Sequence, residues 1–181
     1  MGLGRGKNIK EELLDVVDLQ NRVLRIATRE EACKIGWLHR AVNVLVFNLK
    51  GQVFLQQRAS SKKAFPLYWD LSMTEHVKSR ESFTEAAIRG LKEELGIEKD
   101  VELIRLVHLQ NSRYQKDGQW VIENELVELY RADYNGEIKL DPEEVSAGEF
   151  FSMDQIQEMI DSGNYKFTPW FLDEWEFIEK L

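Results

Sequence analysis

Residues 75–97 read EHVKSRESFTEAAIRGLKEELGI, and the second half of this stretch has the marks of one amphipathic helix. Ser82, followed three residues later by Glu85, makes a capping box, in which hydroxyl and carboxylate each satisfy a backbone N–H of the first turn. Gly96 suits the left-handed position just past a helix C-terminus. Phe83, Ala87, Leu91 and Leu95 recur every four residues and form the stripe to be buried. Glu93 and Glu94 stand at the edge of that stripe, two adjacent carboxylates near apolar surface. Such a pair repels unless something positive lies beside it, and a hard divalent cation with oxygen ligands is one solution. A solvated face with Glu85, Arg89 and Glu93 paired at i,i+4 spacing is the other. Gly90 in mid-helix costs ~1 kcal/mol relative to alanine. Close approach by a ligand or by backbone is therefore expected there.

The stretch resembles the Nudix box, whose pattern is Gly, five residues, Glu, seven residues, then Arg-Glu-aliphatic-x-Glu-Glu-x-Gly-aliphatic. Glu81, Arg89, Leu91, Glu93, Glu94, Gly96 and Ile97 match at the right spacing. Glu75 stands where the first Gly belongs, and Gly90 where the Glu after Arg belongs. The resemblance implies the Nudix fold, an α/β/α sandwich with a mixed sheet. It also implies a Mg²⁺ or Mn²⁺ cofactor and hydrolysis of a diphosphate linked to another moiety.

The chain of 181 residues is long enough to bury one sizeable core, so a single domain over residues 11–181 is expected after a short flexible lead at residues 1–10. A formal net charge of −8 argues against a nucleic-acid polymer or a membrane surface as partner. No apolar run approaches the ~20 residues of a membrane span. The first ten residues lack the apolar core of a secretion signal, so a cytoplasmic location is expected. Cys33 is the single cysteine, which excludes an internal disulfide. A small-molecule diphosphate is the expected partner, and a second copy of the chain stays open as another.

Around the central helix the chain alternates strands and turns. Leu13–Val17 and Arg22–Ala27 read as a hairpin. Thr28 with Glu31 caps a short helix that Gly36 stops. AVNVLVFN, residues 41–48, is too apolar for an edge and reads as a central strand, with QVFLQQR as its returning partner. WDLSMTEHV reads as one short strand entering the helix. Val101–Tyr114 and Gln119–Tyr134 form a hairpin around Lys116-Asp117-Gly118, and a last strand is expected at Gly148–Ser152. Ser152 with Gln155, and Thr168 with Pro169, open two late helices. Strands on both sides of one central helix point to an α/β sandwich with a mixed sheet.

The strand WVIENELVELY, residues 120–130, carries a second signal. Side chains alternate across a strand, so Glu123 and Glu125 share a face with Val121, Val127 and Leu129. Two carboxylates in an apolar row need a metal, a buried Arg or a raised pKa. An edge strand with a wet middle would also tolerate them. His39 and His76, each taken alone, are as readily core or surface histidines, and His108 reads as structural. Arg58, Lys62 and Lys63 make a local anion site in an acidic chain, or an ordinary solvated loop. Trp69 and Trp170 would wall a ring or a prenyl chain, unless they are plain core.

These residues together resemble the isopentenyl diphosphate isomerase branch of the Nudix superfamily. In that branch a His before the central strand, a His just before the helix and a Glu-Asn-Glu strand jointly hold a divalent metal, which implies His39, His76, Glu123 and Glu125 as ligands. A further family His aligns with Ala32 and is missing. RASSKK at 58–63 resembles the family's diphosphate-binding run, and FTPW at 167–170 its FSPW segment. Tyr114 aligns with an active-site Tyr one residue out of register. The isomerase has a Cys at the position of Thr74, where it exchanges protons with the alkene. A Thr hydroxyl is too weak an acid for that work at neutral pH.

The expectation is therefore a metal-dependent hydrolase, with Mg²⁺ or Mn²⁺ at Glu93 and Glu94 together with Glu123 and Glu125. Because Gly90 removes one carboxylate of the box, Glu123 or Glu125 is expected as base. Arg89 orients the carboxylates, and Arg58, Lys62, Tyr114 and Trp170 contact substrate. An isomerase of a small prenyl diphosphate and a noncatalytic diphosphate or nucleotide binder are the alternatives. No run of residues specifies the organic half of the substrate.

Overall fold

A computed structural model describes residues 11–62 and 64–181. The lead at residues 1–10 and Lys63 of the basic run lie outside the described residues. The elements in order are β1 (Leu13–Val17), β2 (Val23–Thr28), α1 (Arg29–Ile35), β3 (His39–Phe47), β4 (Val53–Arg58), β5 (Trp69–Asp70) and β6 (Met73–His76). They continue with α2 (Phe83–Leu95), β7 (Glu102–Lys116), β8 (Gln119–Asp133), β9 (Val145–Phe151), α3 (Met153–Ser162) and α4 (Pro169–Ile178).

The main sheet runs β5-β4-β3-β8-β7, with β6 also on β3 and β9 also on β4. β3 and β8 are parallel along the whole of β3, and the other pairs are antiparallel, so the sheet is mixed. β3 is central, as its apolar run predicts. β4 is not its simple hairpin partner, because only Val46↔Phe54 and Phe47↔Val53 pair before β4 leaves for β5 and β9. The vacated edge of β3 is taken by β6 at residues 41–44. The segment WDLSMTEHV is thus two strands, and Ser72 between them fills the gap by accepting the Val46 N–H at 2.8 Å. β8 lies between β3 and β7, which removes the wet edge strand as an account of Glu123 and Glu125.

Alternation along β3 distributes its side chains to two cores. Val42, Val44 and Val46 face α2, where Ala87, Leu91 and Leu95 complete a fully buried layer. Leu45 and Phe47 face the other side, packed with Leu55, Leu71 and Leu129 against Phe171, Trp175 and Ile178 of α4. Each large apolar side chain so buried contributes roughly 1.5–3 kcal/mol. The result is an α/β/α sandwich. α2 has the expected capping box at Ser82 and Glu85 and ends at Gly96, whose φ of 65° is left-handed. The β7–β8 hairpin turns on Asp117 and Gly118, both at positive φ, as its tight two-residue loop requires.

Gly90 has a specific neighbour. A Cβ there would lie 2.5 Å from Met73 Sδ and 2.8 Å from Met73 Cε, so neither a ligand nor backbone explains the glycine. Met73 is wholly buried and has little room to yield. Overpacking costs about 1–3 kcal/mol against the ~1 kcal/mol that alanine gains in helix propensity. Gly90→Ala is therefore expected to lower stability in chemical denaturation by about 1 kcal/mol. Combined with Met73→Ala, which vacates the space, the two changes should be non-additive by at least about 0.5 kcal/mol. Additive effects would remove this account of Gly90.

Candidate metal and diphosphate site

The parallel register of β3 and β8 sets His39 directly opposite Glu125, with Glu123 two residues earlier on the same face. Antiparallel pairing of β6 with β3 sets His76 opposite Ala41, and the two imidazole rings lie 5.2 Å apart. His39 Nε2 is 3.6 Å from Glu123 Oε2 and 3.5 Å from Glu125 Oε1. His76 Nε2 is 3.7 Å and 3.3 Å from the same two oxygens. α1 adds a group that the sequence reading left out: Cys33 Sγ donates to Glu123 Oε2 at 3.0 Å. On the other side, the Tyr114 hydroxyl donates to Glu123 Oε1 at 3.0 Å.

Burial disfavours every charge in this cluster, and mutual pairing decides the outcome. Burial works against an imidazolium at His39, yet Glu123 and Glu125 outweigh it and push the ring up to about 10. Burial likewise opposes ionised Glu123, but His39 and His76 hold it well below the usual carboxylate range. Burial and the Glu123 charge push the Cys33 thiol well up.

The geometry also fits a cation. His39 Nε2 is fully buried and has no hydrogen-bond partner, while Nδ1 lies 2.9 Å from the Trp37 carbonyl. A carbonyl only accepts, so Nδ1 carries a proton and, in the neutral ring, Nε2 turns a lone pair toward two carboxylates. Ligand atoms on one tetrahedral ion with bonds of about 2.0–2.1 Å lie about 3.3–3.4 Å apart. The nitrogen–oxygen separations here lie between 3.3 and 3.7 Å. His39, His76, Glu123 and Glu125 can close on one ion with small adjustments.

A second wall is built by α2. Arg89 uses all five of its donors: two on Glu81, one each on Glu75 and Glu93, and one on the His76 carbonyl, at 2.8–3.2 Å. It fixes carboxylates and has no donor left for a ligand. Glu75 therefore does more than replace a glycine: it lies beside Glu94, held ionised by His76 and Arg89 against its burial. Glu94 is buried and accepts from Gln56 Nε2 at 3.0 Å. Burial and the neighbouring Glu75 charge push it up to about 8. Glu93 is half exposed at the rim.

The third wall is basic and aromatic. Arg58 is held by Asp70 at 3.1 Å and by the Ala64 carbonyl at 3.1 Å, with its guanidinium 5.3 Å from the centre of the Trp170 ring. The fully buried Asp70 also accepts from the Trp170 indole at 2.7 Å and from Thr168 at 2.9 Å. No sequence motif announces Asp70, since two of its partners, Thr168 and Trp170, lie about a hundred residues away in the chain. Lys62 pairs with Glu144. Tyr114 and Trp170 both contact the Phe65 ring edge-on. All three walls line one cavity of about 1170 Å³ that Thr74 also faces. Trp69 packs against Phe151 instead. His108 lies elsewhere, 2.8 Å from the buried Glu174 that Arg105 and Asn43 also hold.

A layered α/β/α sandwich with carboxylates of a capped helix facing a His/Glu cluster defines the class. The sequence profile of the NUDIX domain family matches residues 37–171. The chain is 36% identical over 168 residues to an isopentenyl-diphosphate delta-isomerase of Photorhabdus laumondii, covering 93% of this chain and 94% of that one. It is 34% identical over 154 residues to an uncharacterised Nudix hydrolase of Listeria innocua, covering 84% and 86%. A crystal structure from Deinococcus radiodurans superposes with a TM-score of 0.71 at 22% identity, covering 93% of this chain and 98% of that one, a likeness of fold. The chain belongs to the NUDIX domain family, in the branch that joins such isomerases with Nudix hydrolases. None of its helices is long and apolar enough to cross a membrane, among the described residues.

Glu94 yields a pH-dependent prediction. Its folded-state pKa of about 8 exceeds the ordinary 4.5, so the buried carboxyl destabilises the metal-free fold as pH rises from 4.5 to about 8 and costs nothing below. Glu94→Gln should therefore stabilise the metal-free protein at pH 8, by an amount on the order of a few kcal/mol, and not at pH 4. The same substitution should weaken Mg²⁺ or Mn²⁺ binding. Denaturation with chelator at both pH values, paired with cation titration, checks both signs.

Proposed function

We propose that the chain is a divalent-cation-dependent hydrolase that cleaves a diphosphate linked to another moiety, a nucleoside diphosphate derivative or a similar compound. The observation that carries this reading is at Thr74. Where the isomerases of this branch have a proton-exchanging thiol, a buried hydroxyl without a hydrogen-bond partner faces the cavity. The chain's one thiol donates to Glu123 instead.

Glu93 and Glu94, together with Glu123 and Glu125, would hold Mg²⁺ or Mn²⁺, which supplies charge neutralisation for the diphosphate and acidifies bound water. Arg58 and Lys62 hold phosphate oxygens, Lys62 exchanging Glu144 for the ligand. Arg89 keeps Glu75, Glu81 and Glu93 in position. Tyr114 and Trp170 wall the organic half. Glu125 is the better of the two expected bases, since Glu123 is occupied on one oxygen by Tyr114 and on the other by Cys33. Gly90 leaves no carboxylate of its own for the work of base, and the Met73 side chain lies where a Cβ at that position would stand.

The isomerase reading is favoured by the 36% identical relative and by the grouping of His39, His76, Glu123 and Glu125. Incubation with nucleoside diphosphate derivatives and with prenyl diphosphates, with Mg²⁺ or with chelator, separates the two. Cation-dependent cleavage is expected. A Glu93→Gln/Glu94→Gln double variant should slow it at least about a hundredfold, the loss typical of a removed electrostatic or proton-transfer group. Wild type should not incorporate solvent deuterium into isopentenyl diphosphate, whereas Thr74→Cys restores the missing acid. Incorporation by wild type at a rate close to that of the variant would replace the hydrolase with the isomerase.

A further inference from the structure

We infer that Cys33 is itself a metal ligand, and that with His39, His76 and Glu123 it forms a four-ligand thiolate site for a borderline-soft cation of the zinc type. The inference rests on the reading that the cluster takes up a cation. It goes beyond that reading by adding a ligand and by drawing Glu123 into this site, which leaves Glu93 and Glu94 as the hard, all-oxygen site for Mg²⁺ or Mn²⁺.

The geometry assembles the four donors without Glu125. Cys33 Sγ and one ligand atom each from His39, His76 and Glu123 all lie within 4.8 Å of one another, and all four residues are buried. A lone buried cysteine is usually an inert core residue. Here its Sγ meets a carboxylate oxygen and lies within 4.8 Å of a ligand atom on each of two imidazoles, and the fully buried His39 Nε2 of the same group has no hydrogen bond.

Local structure explains why residue 33 delivers the ligand. The Thr28–Glu31 capping box fixes where α1 begins, and Gly36 at φ 79° fixes where it ends. Asn124 Nδ2 donates to the Gly36 carbonyl at 3.2 Å, tying that end to β8 between the two cluster carboxylates. A residue-36 Cβ would lie 3.0 Å from Ile122, so the approach to β8 is close. Helix α1 so seated turns Cys33 to Glu123.

The chemistry then selects the ion. Thiolate with imidazole suits Zn²⁺ over Mg²⁺, which prefers six oxygen donors. On binding, the Cys33 Sγ–H proton leaves to solvent and the Sγ lone pair takes its place on the metal. The 3.0 Å contact to Glu123 opens to about 3.5 Å, the edge expected for bonds of about 2.3 Å to sulfur and 2.0–2.1 Å to oxygen. Tyr114 stays behind Glu123, holding Oε1 so that Oε2 faces the ion.

The test is cobalt substitution of the metal-free protein, read by absorption and independent of turnover. Wild type with one equivalent of Co²⁺ should show an intense near-ultraviolet sulfur-to-cobalt charge-transfer band and tetrahedral visible bands, both persisting in excess Mg²⁺. Cys33→Ser should lose the charge-transfer band, and its zinc affinity by competition titration should fall more than about a hundredfold, the upper end of what removal of a mere supporting residue costs. Circular dichroism of the metal-free variant establishes that it folds, and Cys33→His serves as a second variant that restores affinity without the sulfur band. Cobalt bound to wild type without that band, or a band or zinc affinity unchanged in Cys33→Ser, overturns the thiolate site while leaving a cation at the histidines intact. No cobalt uptake by wild type overturns both.

Discussion

The parallel pairing of β3 with β8 is the constraint on which the rest of this molecule depends. Among the strand pairs of the described residues it is the parallel one, and its register puts His39 opposite Glu125 at the point where both strands approach the cavity. A slip of one residue would turn every side chain to the other face. The valines of β3 would then leave α2, and the carboxylates of β8 would leave the histidines. Fold and site are specified by the same register. The apolar rows on either side hold a charged cluster in a place where charge alone would not choose to be.

A similar economy governs α2. The helix is fixed by its caps and by the row Ala87, Leu91 and Leu95, and that burial carries Glu94 inward with it. The metal-free state bears the strain of a buried carboxyl beside Glu75. Arg89 limits that strain by holding three other carboxylates and a carbonyl with its full set of donors. Removing Arg89 would leave the half-buried Glu75 and Glu81 with their backbone N–H donors but without the guanidinium that joins them, and its five engaged donors give it a positioning role.

The fold was largely legible in the sequence because its decisive signals are local. Ser82 with Glu85, Thr28 with Glu31, Ser152 with Gln155, Gly96 and the turn at Asp117-Gly118 each act within four residues. The divergence of β4 from β3 was not legible, because it depends on Ser72 meeting Val46 from 26 residues away. The His39, His76, Glu123 and Glu125 grouping came from resemblance, since spacing alone left metal, arginine and raised pKa equally open. Cys33 had a visible sign, the lone thiol next to the vacant ligand position at Ala32. Its meaning needed the seat of α1 on β8. Glu75 read as a defect in the box, and only its contact with Arg89 and its place beside Glu94 show it as part of the wall. Asp70 carried no sign at all.

On the proposed reading, charge in the cavity gives a cation a role in ligand binding before any chemistry begins. Nine acidic side chains and five basic ones line it. Three of the basic ones are already engaged, Arg29 by Glu12, Arg58 by Asp70 and Lys62 by Glu144. A diphosphate carries two to three negative charges and would enter a space of its own sign. Attraction to Arg58 and Lys62 at surface-like dielectric amounts to a few kcal/mol per close pair, and the surrounding carboxylates cancel much of it. One divalent ion at Glu93 and Glu94 and another at the histidine cluster would reverse that balance. The acidic walls would then be the means by which cations, and through them an anionic ligand, are gathered at one place. On the proposed reading a diphosphate would be favoured over a monophosphate, because a two-phosphate chain would engage a cation and the Arg58–Lys62 edge together while a single phosphate would engage one of them.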